Sequence, residues 1–192
     1  MPDALRPSTD RALRAAAGSE KLVDSLMLAR GQQGPQGYRP VDLAALAAEA
    51  VRTHRQQAAA AGVDLECDWV GASTLGDPVL LGQIAENLVQ NAIQHNGPDG
   101  RDRGWVRIST AQVGEQVRLL VDNTGAEVDP GEVDDLFEPF HRGATARLAT
   151  GRTGSGLGLS IVQPVVASHG GTVRAHVRRG GGLTVAVRLP GP

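Results

Sequence analysis

Four short stretches combine residue types that can do chemistry. In Gly76–Asn96 (GDPVLLGQIAENLVQNAIQHN), Asn87, Asn91 and His95 recur every four residues. At about 100° per residue that spacing puts them on one face of a helix. Two amides there can offer oxygen ligands to a hard cation that also holds phosphate oxygens. Taken alone, the same residues also describe a solvated helix end, although Asn is a poor residue inside a helix. The second stretch is Val121–Val128 (VDNTGAEV), directly after a strand pattern. A polar side chain there can present an acceptor to a base edge, but taken alone an ordinary Asn-Thr-Gly turn is the plainer reading. The third, Leu136–Arg142 (LFEPFHR), holds Phe137 and Phe140 in a chain with only 3% aromatics, and ends on an Arg able to reach a phosphate. A small hydrophobic plug is the plainer reading of the two rings. The fourth is Thr153–Val162 (TGSGLGLSIV). Gly154, Gly156 and Gly158 let backbone N–H groups approach a phosphate, and the helix that follows aims its first amides at the same anion. This stretch follows no strand and lacks the GK[ST] ending of a P-loop, so it fits neither the dinucleotide fingerprint nor a Walker motif.

These stretches need a scaffold, and the patterning supplies one. Hydrophobic periodicity predicts helices over 8–30, 41–61, 77–95 and about 156–169. Strands are expected over 63–69, 105–112, 117–122, 172–178 and 183–189, the last two joined at Gly180–Gly182. In 63–69, Val63, Leu65, Cys67 and Trp69 alternate with acids, the pattern of a half-buried strand. Residues 31–40 (GQQGPQGYRP) read as a linker. The expected division is a helical segment over 1–34 and a domain over 38–192. The order of elements predicts an α/β fold, a two-layer sandwich with a mixed sheet and helices on one face, preceded by an N-terminal helix. The segment 141–155 reads as a lid-like loop.

Composition narrows the function classes. A net charge of −2 over 192 residues argues against nucleic-acid or membrane-surface binding through bulk charge. One cysteine, Cys67, excludes an internal disulfide and a multi-cysteine zinc site. No apolar run nears the roughly 18 residues of a membrane span, and the first residues hold no apolar signal core, so a cytoplasmic location is expected.

Together the four stretches, in this order, resemble the ATP-binding domain of two-component sensor histidine kinases, of the Bergerat-fold superfamily that also includes gyrase and MutL. The first looks like the N box, VDNTGAEV the first glycine box, LFEPFHRG the F box and TGSGLGLSIV the second glycine box. The tail HGGTVRAHVRRGGGLTVAVRLP resembles the closing hairpin, and the wording is nearest to actinobacterial members. The resemblance covers about 41–190. It implies binding of ATP and Mg2+, with Asn91 as the metal ligand and Asn87 beside the phosphates. Arg142 would contact the β- and γ-phosphates, and Asn87, Asn91 and Arg142 would form the catalytic set. His95, Asp122, Asn123, Gly125, Thr153, Gly154, Ser155, Gly156, Leu157, Gly158 and Leu159 would complete the nucleotide site, with 141–155 as the ATP lid. Strand alternation puts Asn123 at the adenine-reading position where the family keeps an aspartate, with Asp122 as the alternative. Other departures are Gln94 at a position often held by lysine, Glu127 for a glycine, Leu183 for a threonine, and Pro164 inside the last helix.

The family's phosphoacceptor His stands in an H-E-[LI]-R-T-P context. None of His54, His95, His141, His169 and His176 does. The segment 8–30 resembles only the second helix of the hairpin that carries it. The expected function is therefore transfer of the ATP γ-phosphoryl to a histidine on a partner chain or a missing segment, with no activity alone and a response regulator downstream. The chain is either part of a longer kinase or a split subunit. Gyrase-like members activate water with a Glu one turn before the metal Asn. Here that position holds Asn87, which cannot act as a base, so slow hydrolysis is expected. The rival readings are a degenerate nucleotide-binding module that docks without phosphotransfer, and an anti-sigma-type serine kinase.

Overall fold

The computed structural model describes residues 37–96, 103–138 and 158–192. The expected helix 8–30, the loop 141–155 and the first residues of the second glycine box lie outside them. Strand β1 (Arg39–Asp42) leads into helix α1 (Leu43–Ala60), then β2 (Val63–Trp69), β3 (Ser73–Gly76), α2 (Pro78–Gln94), β4 (Gly104–Val113) and β5 (Gln116–Asn123). Two 3-10 turns, Pro130–Glu132 and Asp134–Phe137, precede α3 (Gly158–Ser168), β6 (Thr172–Val177) and β7 (Leu183–Pro190). Five strands form one sheet in the order β2-β4-β5-β7-β6. The β2–β4 pair is parallel and the other pairs are antiparallel, the expected mixed sheet.

Period-2 alternation builds the helix-facing side of that sheet. Val106 and Ile108, Val117, Leu119 and Val121, and Val185, Val187 and Leu189 are all buried. The apolar faces of α1 (Leu43, Ala47, Ala50, Val51), α2 (Leu81, Ile84, Leu88, Val89) and α3 (Ile161, Val162, Val165, Val166) join them in one core. Phe137 belongs to this core too, which agrees with the plug reading of its ring. Helix α2 starts where its chemistry dictates. The Asp77 carboxylate accepts from the N–H groups of Val79 and Leu80, and Pro78 fills the first turn.

Three expectations need correction. The segment taken as linker and helix start contains β1, which pairs antiparallel with the unanticipated β3, Arg39 opposite Gly76 and Asp42 opposite Ser73. Helix α1 accordingly begins after Asp42, whose side chain caps it through the Ala44 N–H. The inward face of β2 is buried only at its start. Val63 is buried, but Cys67 is exposed and Trp69 is 37% exposed. Strand β2 is a sheet edge with a neighbour only on the β4 side. Partial desolvation of the Cys67 thiol still raises its pKa, with Arg55 pulling the other way.

The β1–β3 ribbon is tied to the main body by side chains. Thr74 Oγ1 donates to the Pro190 carbonyl at 2.7 Å. His169, buried at the end of α3, accepts from the Asp77 N–H through Nε2 at 3.1 Å, so its proton sits on Nδ1 and goes to the Val165 carbonyl at 2.8 Å. The Tyr38 ring stacks on this imidazole at 4.8 Å, and its hydroxyl donates to the Ser168 carbonyl.

Candidate nucleotide site

The site is assembled where α2 ends and β5 ends. Asn87 and Asn91 lie one turn apart in α2, and His95 caps its C-terminus, its N–H bonded to the Asn91 carbonyl at 2.9 Å. The Asn87 Nδ2 is buried and finds no hydrogen-bond acceptor, one of two such side-chain nitrogens among the described residues, the other being His54 Nε2. A buried amide donor left without a partner costs about 1–3 kcal/mol, so such groups are rare and point to an absent acceptor. Glu86, the neighbouring residue, turns toward α1, where its Oε1 lies 3.9 Å from His54 Nε2.

Strand β5 supplies the opposite wall. Asn123 continues the inward series Val117, Leu119, Val121 and is only 5% exposed. It pairs with Val106 of β4 and Leu183 of β7. Asp122 falls on the other face of the sheet. There it accepts from Thr184 Oγ1 and lies 3.9 Å from Arg178 Nε. Arg178 in turn covers the Trp105 ring at 4.3 Å. Asp122 and Asn123 therefore do not share a site, and Asn123 is the one facing the helices.

The backbone brings the two walls into contact. A Cβ on Gly125 would stand 2.6 Å from the His95 carbonyl oxygen, so only glycine lets the β5 turn approach the end of α2 this closely. The Gly180–Gly182 turn presses on the same segment from the other side. Gly182 donates to the Ala126 carbonyl at 3.0 Å, and all three glycines have φ between 87° and 92°.

Two residues in this wall gave no sequence signal of their own, Asn96 and Thr124. Thr124 Oγ1 accepts from the Trp105 N–H at 2.8 Å and stands 3.0 Å from Asn96 Oδ1, to which it can donate. Asn96 Nδ2 donates to the Trp105 carbonyl at 2.8 Å. A Cβ on Gly104 would fall 1.9 Å from Asn96 Oδ1. This network joins the ends of α2 and β5 to the start of β4. In the sequence both residues look like ordinary turn residues.

Helix α3 begins at Gly158, with Leu159 buried beneath. Among the described residues nothing lies within 4 Å of a Cβ added to Gly158. Pro164 is accommodated inside the helix. Arg142, Thr153, Gly154, Ser155, Gly156 and Leu157 lie outside the described residues. Among the described residues no cluster of three His, Cys, Asp or Glu side chains forms a metal site, and no helix is long and apolar enough to cross a membrane.

The comparisons with known proteins agree with this architecture. The profile of the histidine kinase-, DNA gyrase B- and HSP90-like ATPase family matches residues 76–192. The chain is 43% identical over 173 residues to the sensor protein CutS of Streptomyces coelicolor, covering 90% of this chain and 41% of CutS. It is 38% identical over 152 residues to the sensor-like histidine kinase SenX3 of Mycobacterium tuberculosis, covering 78% of this chain and 36% of SenX3. The chain thus spans less than half the length of these relatives. Among solved structures, the mycobacterial sensor histidine kinase MprB superimposes with a TM-score of 0.68 at 26% identity, over 80% of this chain and 97% of that one. The helix pair α2–α3, the mixed sheet and the glycine-lined β5 turn are thus the scaffold of a known group: this chain belongs to the histidine kinase-, DNA gyrase B- and HSP90-like ATPase family and carries the ATPase domain of sensor histidine kinases.

Proposed function

We propose that the chain binds Mg-ATP between α2 and the end of β5 and presents the γ-phosphoryl to a histidine of a two-component phosphoacceptor hairpin, on another segment or another chain. The observation that carries this reading is the buried, acceptor-less Nδ2 of Asn87. A phosphate oxygen is the acceptor that satisfies it. In this reading Asn91 offers its side-chain oxygen to Mg2+, and Asn123 accepts from the adenine amino group. Gly125 lets the β5 turn close on the end of α2 beside it. The N-terminal amides of α3, opened by Gly158 and the preceding glycines, face the phosphates. Arg142 adds a cation to them from the lid. Bound magnesium supplies charge neutralisation of the β- and γ-phosphates. The chain's own residues supply orientation and the exclusion of water.

Transfer rather than hydrolysis follows from the side chains beside the phosphates. Asn87 is an amide and takes no proton from water. Glu86, the nearest carboxylate in the chain sequence, faces α1, with its Oε1 3.9 Å from His54 Nε2. An incoming imidazole needs no such base, since its neutral nitrogen is already nucleophilic.

The test is phosphotransfer from radiolabelled ATP to purified phosphoacceptor hairpins of actinobacterial sensor kinases. The expected product is a labelled hairpin whose phosphate is lost in acid. An acid-stable phosphoserine product would select the serine-kinase reading. Nucleotide binding with no transfer to any hairpin would select a docking module that senses nucleotide.

A further inference from the structure

The outer face of the sheet, turned away from the helical core, is divided by charge, and the strand register sets the division. On edge strand β2 the outward residues are Asp64, Glu66 and Asp68, all exposed. Toward the opposite edge, β5, β7 and β6 bring Arg118, Arg188 and Arg174 together. Arg118 stands directly opposite Arg188, and Arg174 lies one diagonal step away, its own partner being Ala186. Like charges opposite one another across strands are unfavourable. None of these arginines forms an ion pair among the described residues, and neither does Asp68. The ion pairs of this face join Asp64 to Arg103, Glu66 to Arg107 and Asp122 to Arg178. Across its middle runs one row in register, Asp68, Ser109, Leu120, Ala186 and Arg174, from β2 to β6. The three central members of that row are half-buried.

A face whose two halves carry opposite charge is complementary to itself. We infer that it is the contact surface for a second copy of this chain, stacked face to face about a two-fold that runs roughly along β5. That operation lays β2 of each copy over β6 of the other. Asp68 of one copy then meets Arg174 of the other, in both directions, Ser109 meets Ala186, and Leu120 meets its own counterpart. A two-fold running across the strands would instead set β2 over β2 and acid against acid, so charge selects the first. Packed sheets are turned by about 30°, which carries Arg118 and Asp122 on the central strand away from their own counterparts. The β2 acids also resist edge-to-edge pairing of two β2 strands, which would line up like charges. Five strands at about 4.8 Å and a length of about six residues give a face of roughly 24 by 20 Å. Two such faces cover about 1,000 Å², the low end for a specific interface, so the dimer is weak and salt-sensitive. Asn87 and Asn123 lie on the helix side, and the nucleotide site stays open in this pairing.

The experiment is sedimentation equilibrium of the whole chain over a concentration series, for the wild type, Arg174→Glu, Asp68→Arg and an equimolar mixture of the two variants. Both positions are exposed, so each variant is expected to unfold near the wild-type temperature. The wild type is expected to approach a dimer and stop there, with added salt weakening the association. Each variant alone should self-associate at least 10-fold more weakly. The mixture should recover the wild-type association, because the reversed charge of one variant then faces the reversed charge of the other. Cross-linking locates the axis. In a Cys67→Ser background, which removes the exposed native thiol, Leu120→Cys should be joined to its counterpart by a short bismaleimide. Val79→Cys, at a position 74% exposed near the start of α2, should not. A wild-type mass that does not change with concentration would overturn the inference. So would association that both charge reversals leave unaltered, a mixture no stronger than its components, or a mass that climbs past the dimer. Cross-linking of Leu120→Cys no better than that of Val79→Cys would refute the two-fold along β5.

Discussion

Asn87→Leu is expected to make the domain more stable and to prevent it from holding ATP. The two effects share one cause. In the folded chain the Asn87 Nδ2 is buried with no acceptor. Leucine has the same branching and number of heavy atoms, carries no donor, and is a better helix former. Removing the orphaned donor should gain about 1–2 kcal/mol, inside the roughly 1–3 kcal/mol that such a group costs. For a domain of this size that is a rise of roughly 2–8 °C in the unfolding midpoint. The same substitution removes the group offered to phosphate, so ATP affinity should fall at least 10-fold. A residue that destabilises the free protein and binds ligand is the signature of a site whose strain serves function. Calorimetric unfolding paired with nucleotide titration checks both signs. A loss of stability would mean that the amide has a partner in the free chain. Unaltered affinity would place the phosphates elsewhere.

Gly182→Ala is expected to be among the most damaging single changes, and Gly180→Ala among the milder ones in the same turn. The two glycines have nearly the same φ, 89° and 87°. Each substitution therefore carries the same left-handed penalty, about 1–2 kcal/mol. Their surroundings differ. A Cβ on Gly180 meets nothing within 4 Å, whereas one on Gly182 would stand 1.9 Å from the Asn123 carbonyl oxygen and 2.9 Å from the Thr124 carbonyl carbon. Those are backbone atoms and cannot rotate away, so the turn or the end of β5 must move. The total for Gly182→Ala should reach at least ~3 kcal/mol. The shift also moves Asn123, so ATP binding should fall with stability in this variant and survive in Gly180→Ala. Urea unfolding of the two variants, side by side, isolates the contact from the conformational term. Equal losses would show that the glycine turn does not press on the nucleotide wall.

Much of this was legible in the residues. The alternation through Val117, Leu119, Val121 and Asn123 set the register that turns Asn123 inward and Asp122 outward, because a strand's period of two leaves no other choice once its core face is fixed. Asp77 and Pro78 marked the start of α2, and the three successive glycines marked the last hairpin. What escaped has physical reasons. Strands β1 and β3 are four residues each, contain Pro, Asp and Gly, and bury little beyond Val41 and Thr74. Their pairing joins segments more than thirty residues apart, which no local window contains. The alternation in β2 was real, but an edge strand lacks the second neighbour that would cover Cys67 and Trp69. Asn96 and Thr124 each look like turn residues until the chain brings three element ends together around them. The orphaned Asn87 donor is legible only from coordinates, since a sequence does not tell which amides go unpaired.

The central claim is that α2 and the end of β5 form a working Mg-ATP site. Calorimetric titration of Mg-ATP into the whole chain, with Asn91→Ala alongside, tests it most directly. The expected result is a micromolar dissociation constant for the wild type, roughly −8 kcal/mol, weakened at least 10-fold in the variant and by magnesium chelation in the wild type. No binding at millimolar ATP by the folded chain, or equal affinity in Asn91→Ala, would contradict it.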